Sequence, residues 1–289
     1  MDKLKVFSFA REKLNIDNIM KLLSFCPRWG QANTSWEVFL YSAKSSGYDG
    51  IEASLPEDEK ERTEMLDGLA KHGLMFIGQH WETVQYDFKQ HYKEFELRLR
   101  NLAAAKPIFI NSQTGKDYYT FEQNKKLISL ADNVAKETGI AIVHETHRGK
   151  FSFAAHITNQ YLQNLPGLRI TLDISHWCNT AESLLHDQKE AVQMAITRTD
   201  HIHARVGFAE GPQITEPRDP AWEETLQFHL SCWDKVAAIK KKKHLPLTIT
   251  PEFGPYPYMI NLPFTKQAIA DQWDINEYMM NLLRERYHV

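Results

Sequence analysis

The chain has 289 residues, with 34 Lys and Arg against 37 Asp and Glu and a formal net charge of −3, so no overall basic field draws it to nucleic acid. Its three cysteines, Cys26, Cys178 and Cys232, are odd in number and widely spaced without a CxxC pair, which argues against a disulfide framework or a zinc knuckle. No segment approaches the roughly 20 uninterrupted apolar residues of a membrane span.

In chain order, the N-terminal MDKLKVFSFAREKLN carries charges at positions 2, 3 and 5 and no apolar stretch long enough for a signal sequence, and the expectation is a cytoplasmic protein. Candidate strands follow at KVFSFA (5–10), DGIEASL (49–55), LMFIGQH (74–80), PIFINSQ (107–113), IAIVHE (140–145), RITLDI (169–174), DHIHARV (200–206) and PLTITPEF (246–253). They are short, rich in β-branched and aromatic residues, and mostly apolar on both faces, as strands of parallel sheets are. Helical patterns fill the gaps at 34–47, 57–73, 83–105, 119–139, 154–167, 182–196, 221–243 and 264–287, several of them stopping at a Gly. The run Lys240–Lys243 reads as a solvated helix C-terminus. Strand and helix alternate throughout, and no Pro/Gly/Ser-rich linker divides the chain. The fold class is therefore α/β, a single (β/α)8 TIM barrel spanning residues 1–289. The longest irregular stretches, 24–33 and 206–220, fall on the strand C-terminal side, where barrel enzymes place active-site loops.

Strands five to eight end on metal-ligand chemistry: Glu145, Asp173 with His176, His203, and Glu252. In a barrel the C-terminal strand ends converge on the axis, so four ligands dispersed in sequence meet around one ion. Three carboxylates and an imidazole suit a divalent Mn, Zn, Co or Mg ion and do not choose among them. His201 and His203 share one strand face, and His203, nearer the loop, is the expected ligand. The strand ends also offer His80, Trp81, Gln113, Asn111 and Glu52. His147 and Arg148 follow Glu145 on its loop. Trp177, and less strongly Trp29, offer apolar faces to a sugar ring, while Gln213 and Arg218 lie in the proline-rich loop 207–222.

The chain resembles the sugar isomerases and epimerases of the xylose-isomerase-like TIM-barrel superfamily, over nearly its whole length as a fold and most specifically in residues 140–255. The Glu, Asp, His, Glu metal set of that family falls on Glu145, on Asp173 of the D-x-x-H step Asp173–His176, on the second His of HIH (His203), and on Glu252. The resemblance implies that His176 binds substrate, with Arg205 as a further candidate, two residues after the metal His and closer than in ketose epimerases. His80, Gln113, His147, Arg148 and Trp177 complete the expected substrate wall. The implied activity is a metal-dependent isomerase or epimerase acting on a sugar or small hydroxy-carbonyl compound. Glu145 and Glu252 would remove and return a proton through a metal-bound enediolate. Two alternatives use the same parts: an inosose-type dehydratase and a non-catalytic sugar-binding barrel. An apurinic-site endonuclease is disfavoured, because no D-x-H step follows the seventh strand. No Gly-rich phosphate cradle is evident, which favours an unphosphorylated sugar or keto acid. Barrels of this group often pair, which leaves room for a homodimer, with neither nucleic acid nor membrane as a partner.

Overall fold

The structure, a computed structural model, describes residues 20–287. Eight parallel strands close into a barrel in sequence order: β1 (Leu22–Pro27), β2 (Gly50–Ala53), β3 (Met75–His80), β4 (Phe109–Ser112), β5 (Ile142–Glu145), β6 (Ile170–Leu172), β7 (Thr199–His203) and β8 (Leu247–Thr250). Closure comes from β1 pairing with β8, Leu23 opposite Thr248. The (β/α)8 fold read from the alternation is thus present.

The expected first strand, KVFSFA (5–10), lies outside the described residues. The strand that opens the barrel is LLSFCP, which runs into the stretch 24–33 that was expected to be irregular. All six of its residues are buried, and its terminal Pro, which has no N–H to give a ladder, sits where pairing stops. Two neighbouring apolar runs carried the same signature, and pattern alone did not separate them.

The helices are α1 (Trp36–Ser45), α2 (Glu59–His72), α3 (Phe88–Ala104), α4 (Phe121–Thr138), α5 (Ala155–Asn164), α6 (Ser175–Ala181), α7 (Lys189–Arg198), α8 (Glu223–Lys242) and α9 (Gln272–Tyr287). Their starts follow side-chain caps more closely than apolar spacing. Asp87 accepts from the Gln90 amide at 3.0 Å, so α3 begins at 88 rather than 83. Asp271 accepts from the Asp274 amide at 3.0 Å near the start of α9, leaving 264–271 as loop. Gly73 and Gly139 end α2 and α4 in left-handed conformation, at φ 60° and 75°, as the sequence indicated. Helix α6 was not foreseen. It starts two residues after Asp173, whose carboxylate accepts from the Ser175 amide at 3.0 Å, and the helix expected from 182 begins at 189.

Alternate strand residues point into the barrel. At its floor Leu23, Phe25, Ile77, Phe109 and Val143 form a separate apolar cluster. Above it the inward positions turn polar, and the change is marked where the rings of Phe25 and Phe109 meet His201 at 6.5 and 5.3 Å. Outside the strands, two larger clusters pack the helices against the barrel, one around β6–β8 and one around β1–β4. A floor packed with side chains leaves the C-terminal mouth as the place for chemistry.

Candidate metal centre and active site

Glu145 and His203 are the last residues of β5 and β7, Asp173 directly follows β6, and Glu252 lies just past β8. Their ligand atoms all fall within 4.8 Å of one another, and all four residues are buried. His203 Nδ1 lies 2.8 Å from Glu252 Oε2 and 3.7 Å from Glu145 Oε1, ion-pair contacts without an aligned hydrogen bond. A buried ring nitrogen facing carboxylate oxygens on two sides suits a cation among them, and oxygen and imidazole donors suit a divalent one.

The layer below fixes the orientation of that ring. Glu52, at 1% exposure, receives His203 Nε2 at 3.0 and 3.1 Å, Asn111 Nδ2 at 2.8 Å, Thr250 Oγ1 at 2.5 Å and His201 Nε2 at 3.2 Å. An acceptor on Nε2 keeps that nitrogen protonated and aims Nδ1 at the acidic cluster. Burial alone would raise the pKa of the Glu52 carboxyl, but His203 and His201 hold it well below the usual carboxylate range. Burial likewise pulls the His203 pKa down, and Glu252, Glu52 and Glu145 together push it well above that of an ordinary histidine. These carboxylates therefore demand positive charge at this point. Burial raises the pKa of Glu145, with the negative charges of Glu252 and Asp173 adding to it and His203 opposing. Asp173 is raised for the same first reason, against the pull of Arg205.

Arg205, 1% exposed, reaches into the cluster. Its Nη2 donates to Asp173 Oδ2 and, at 2.7 Å, to His176 Nε2. Its Nε donates to Ser175 Oγ at 3.1 Å, and Ser175 in turn donates to Asp173 Oδ1 at 2.5 Å. The guanidinium faces the rings of Tyr258 at 4.8 Å and Trp29 at 5.7 Å. His176 is kept neutral first by burial and then by the nearby His147 and Arg205. With Nε2 accepting from Arg205, its proton sits on Nδ1, which is buried and has no partner.

A cavity of about 500 Å³ opens over these groups and includes Glu145, Glu252, Arg205, His147, Gln113 and Gln79 in its wall. Gln113 Nε2 donates to Glu145 Oε1 at 3.4 Å, and Gln79 Nε2 to Glu252 Oε1 at 3.2 Å. The ring of His147 lies 3.9 Å from that of His176. Arg148 stands further out, bonded to Asn179 at 3.1 Å and facing Tyr258 at 5.1 Å.

Other residues singled out in the sequence stand elsewhere. His80 spends both ring nitrogens on Ser112 Oγ at 3.0 Å and Thr83 Oγ1 at 2.7 Å. Trp177 is fully buried, with Nε1 donating to the Ser152 carbonyl at 2.8 Å. The aromatic wall comes instead from Trp29 and Tyr258, packed edge to face at 4.9 Å. A Cβ on Gly254 would meet the Trp29 ring at 2.1 Å, so that close approach needs glycine. Gln213 clamps the same loop, accepting from the Gly254 amide at 2.7 Å and donating to its carbonyl at 3.2 Å. Arg218 is a surface ion-pair residue bonded to Glu216 and Asp274. Gln79, Arg28 and Tyr258 were not picked out from the sequence. The signal for Gln79 was present, since it alternates with Ile77 on the inward face of β3. Arg28 and Trp29 directly follow the true β1, and their meaning depends on placing that strand correctly.

No family model matches the chain, and no curated protein matches it by sequence. Solved structures do match in fold. The 3-keto-D-glucoside 4-epimerase of E. coli superposes at a TM-score of 0.60 with 14% identity, over 92% of this chain and 99% of that one. A probable 3-DHS dehydratase of petrobactin synthesis from Bacillus anthracis gives 0.55 and 18%, over 92% and 100%. A xylose isomerase-like TIM-barrel protein from Mycobacterium smegmatis, solved in complex with magnesium, gives 0.57 and 11%, over 92% and 97%. Identities this low establish a common fold, and the fold is that of the barrels which the motifs of 140–255 resemble. Among the described residues no helix is long and apolar enough to cross a membrane.

Proposed function

We propose that this protein is a divalent-metal-dependent isomerase or epimerase acting on a sugar or a related hydroxy-carbonyl compound. The observation that carries the reading is the cluster of Glu145, Asp173, His203 and Glu252 with ligand atoms within 4.8 Å of one another, His203 Nδ1 facing its carboxylates. These four residues would hold the ion. A bound divalent cation supplies Lewis acidity toward a carbonyl and its neighbouring hydroxyl, which makes the adjacent C–H removable near neutral pH.

The chain's own groups do the rest. Glu145 and Glu252 border the cavity, and one takes the substrate proton while the other returns one. Return to the opposite face of the same carbon is epimerisation, and return to the neighbouring carbon is aldose–ketose isomerisation. Burial raises the proton affinity of Glu145, which suits a group that holds a proton between steps. The Nδ1–H of His176 and the N–H groups of Arg205 are donors for the developing oxyanion, strong because the site is shielded from water. Trp29 and Tyr258 contribute that shielding. Gln113 and His147 line the cavity as contacts for substrate hydroxyls, while His80, Trp177 and Arg148 act through the residues they brace.

The test is solvent-deuterium uptake by a panel of ketoses, aldoses and inososes in the metal-loaded protein. Uptake is expected in the native chain and lost in Glu145→Gln and Glu252→Gln while metal stays bound. Full uptake in either variant removes that residue from the proton-transfer role. An ultraviolet-absorbing enone product would move the assignment to dehydration.

A further inference from the structure

The cavity at the barrel mouth has two ends. One is the acidic cluster on the tips of β5–β8. The other lies at the tips of β1–β3 and beyond them, walled by Arg28, Trp29, Trp36, Leu55, Pro56 and Trp81. The whole space is about 500 Å³. A single hexose at the packing density of a protein interior needs about 200 Å³, so one ring at the acidic end leaves more than half of the cavity unfilled.

The chemistry of the far end is specific. Trp81 directly follows β3 and is 51% exposed, a large apolar side chain left uncovered at the rim. Trp36 is held in place by Nε1 donating to Glu61 at 2.9 Å. The Arg28 guanidinium carbon lies 4.3 and 4.8 Å from the ring centroids of Trp36 and Phe39, with Nη2 donating to the Thr34 carbonyl at 2.5 Å. Its Nη1 is buried and has no acceptor. Such a donor costs stability until an oxygen meets it. Trp81 and Arg28 both border this end, and an exposed indole face together with a guanidinium suits a pyranose ring, whose C–H face stacks on aromatics and whose hydroxyls accept hydrogen bonds.

We propose that this far end is a subsite for the second ring of a glycoside, so that the substrate is a two-ring keto-sugar held by its carbonyl end at the acidic cluster. The inference rests on the reading of that cluster as the place of proton transfer.

Affinities of the Mn²⁺-loaded protein for fructose and for turanose, lactulose and isomaltulose, two-ring ketoses differing in linkage, are measured by calorimetry. Deuterium uptake into each sugar is followed by NMR. At least one two-ring ketose is expected to bind about tenfold tighter than fructose or better. That preference is expected to fall at least about threefold in Trp81→Ala and in Arg28→Gln. Trp81 is half exposed, so removing its ring does not open the core. If no two-ring sugar outbinds fructose, or if the preference survives both substitutions, the subsite is overturned; deuterium uptake into fructose would then leave the proton-transfer reading standing. A two-ring preference without uptake into any of the four sugars overturns the proton-transfer reading and supports the subsite. Failure of all four to bind overturns the subsite.

Discussion

Replacing Glu52 by Gln tests whether the layer beneath the acidic cluster sets its chemistry. The carboxylate accepts from Asn111, Thr250, His201 and His203 at 2.5–3.2 Å, and it is fully buried. Gln keeps the shape but turns one oxygen into an NH2 group, so donors on that side face a donor. With one to two buried donors left unmatched, at about 1–3 kcal/mol each, the fold should lose about 2–4 kcal/mol. The His203 ring also loses the partner that holds its proton on Nε2. The tautomer with the proton on Nδ1, facing the acids, becomes accessible. Loss of an outer partner of this kind lowers metal affinity about 10–100-fold. Calorimetric titration of Mn²⁺ into both proteins measures this, urea unfolding measures the stability change, and ¹⁵N shifts of the histidine ring report the tautomer. A Glu52→Gln protein that binds Mn²⁺ as the native chain does, with His203 still protonated on Nε2, would refute the positioning argument.

Two further outcomes follow from the same geometry. Trp177→Phe removes the 2.8 Å bond to the Ser152 carbonyl and part of a fully buried ring. It should cost about 2–4 kcal/mol in urea unfolding, and a raised KM for sugar at unchanged stability would return that indole to the substrate wall. Metal affinity should weaken with acidification. Cation binding needs Glu145 and Asp173 ionised, and burial raises the pKa of both above the ordinary 4.5 and 3.8. A proton-bearing carboxyl must then lose its proton to bind, so affinity falls as pH drops, beginning above the range where exposed carboxylates titrate. Calorimetry in buffers of different ionisation enthalpy would show proton release on Mn²⁺ binding near those raised values, and pH-independent affinity between pH 5 and 7 would contradict it (about 5 to 7 being the span just above ordinary carboxylates).

The sequence carried the second half of the molecule better than the first. Around Glu145, Asp173, His203 and Glu252 each strand is a short apolar run ending in an acid or imidazole, and closure of the barrel alone brings those ends together. The spacing of His201 and His203 likewise placed one histidine on the cluster and one in the layer below. The first strand was less legible because KVFSFA and LLSFCP are both short apolar runs of strand type, and only long-range pairing of Leu23 with Thr248 selects the second. That choice hid the place of Arg28 and Trp29 at a strand tip. Helix α6 was hidden because its first turn is organised by the Asp173 side chain rather than by an apolar stripe. His80 and Trp177 show a different limit. A strand-end histidine and a tryptophan beside a ligand look the same in sequence whether they face a cavity or the core. The difference lies in partners, Ser112 and Thr83 for one and the Ser152 carbonyl for the other.

In the proposed reading the last four strand tips hold a single divalent cation. Diffraction at the manganese absorption edge from crystals grown with Mn²⁺ tests it most directly. One strong anomalous peak is expected, bound by Glu145, Asp173, Glu252 and the Nδ1 atom of His203, with Nε2 still on Glu52. A chain with no peak there, or with the four side chains turned away from one another, would contradict it.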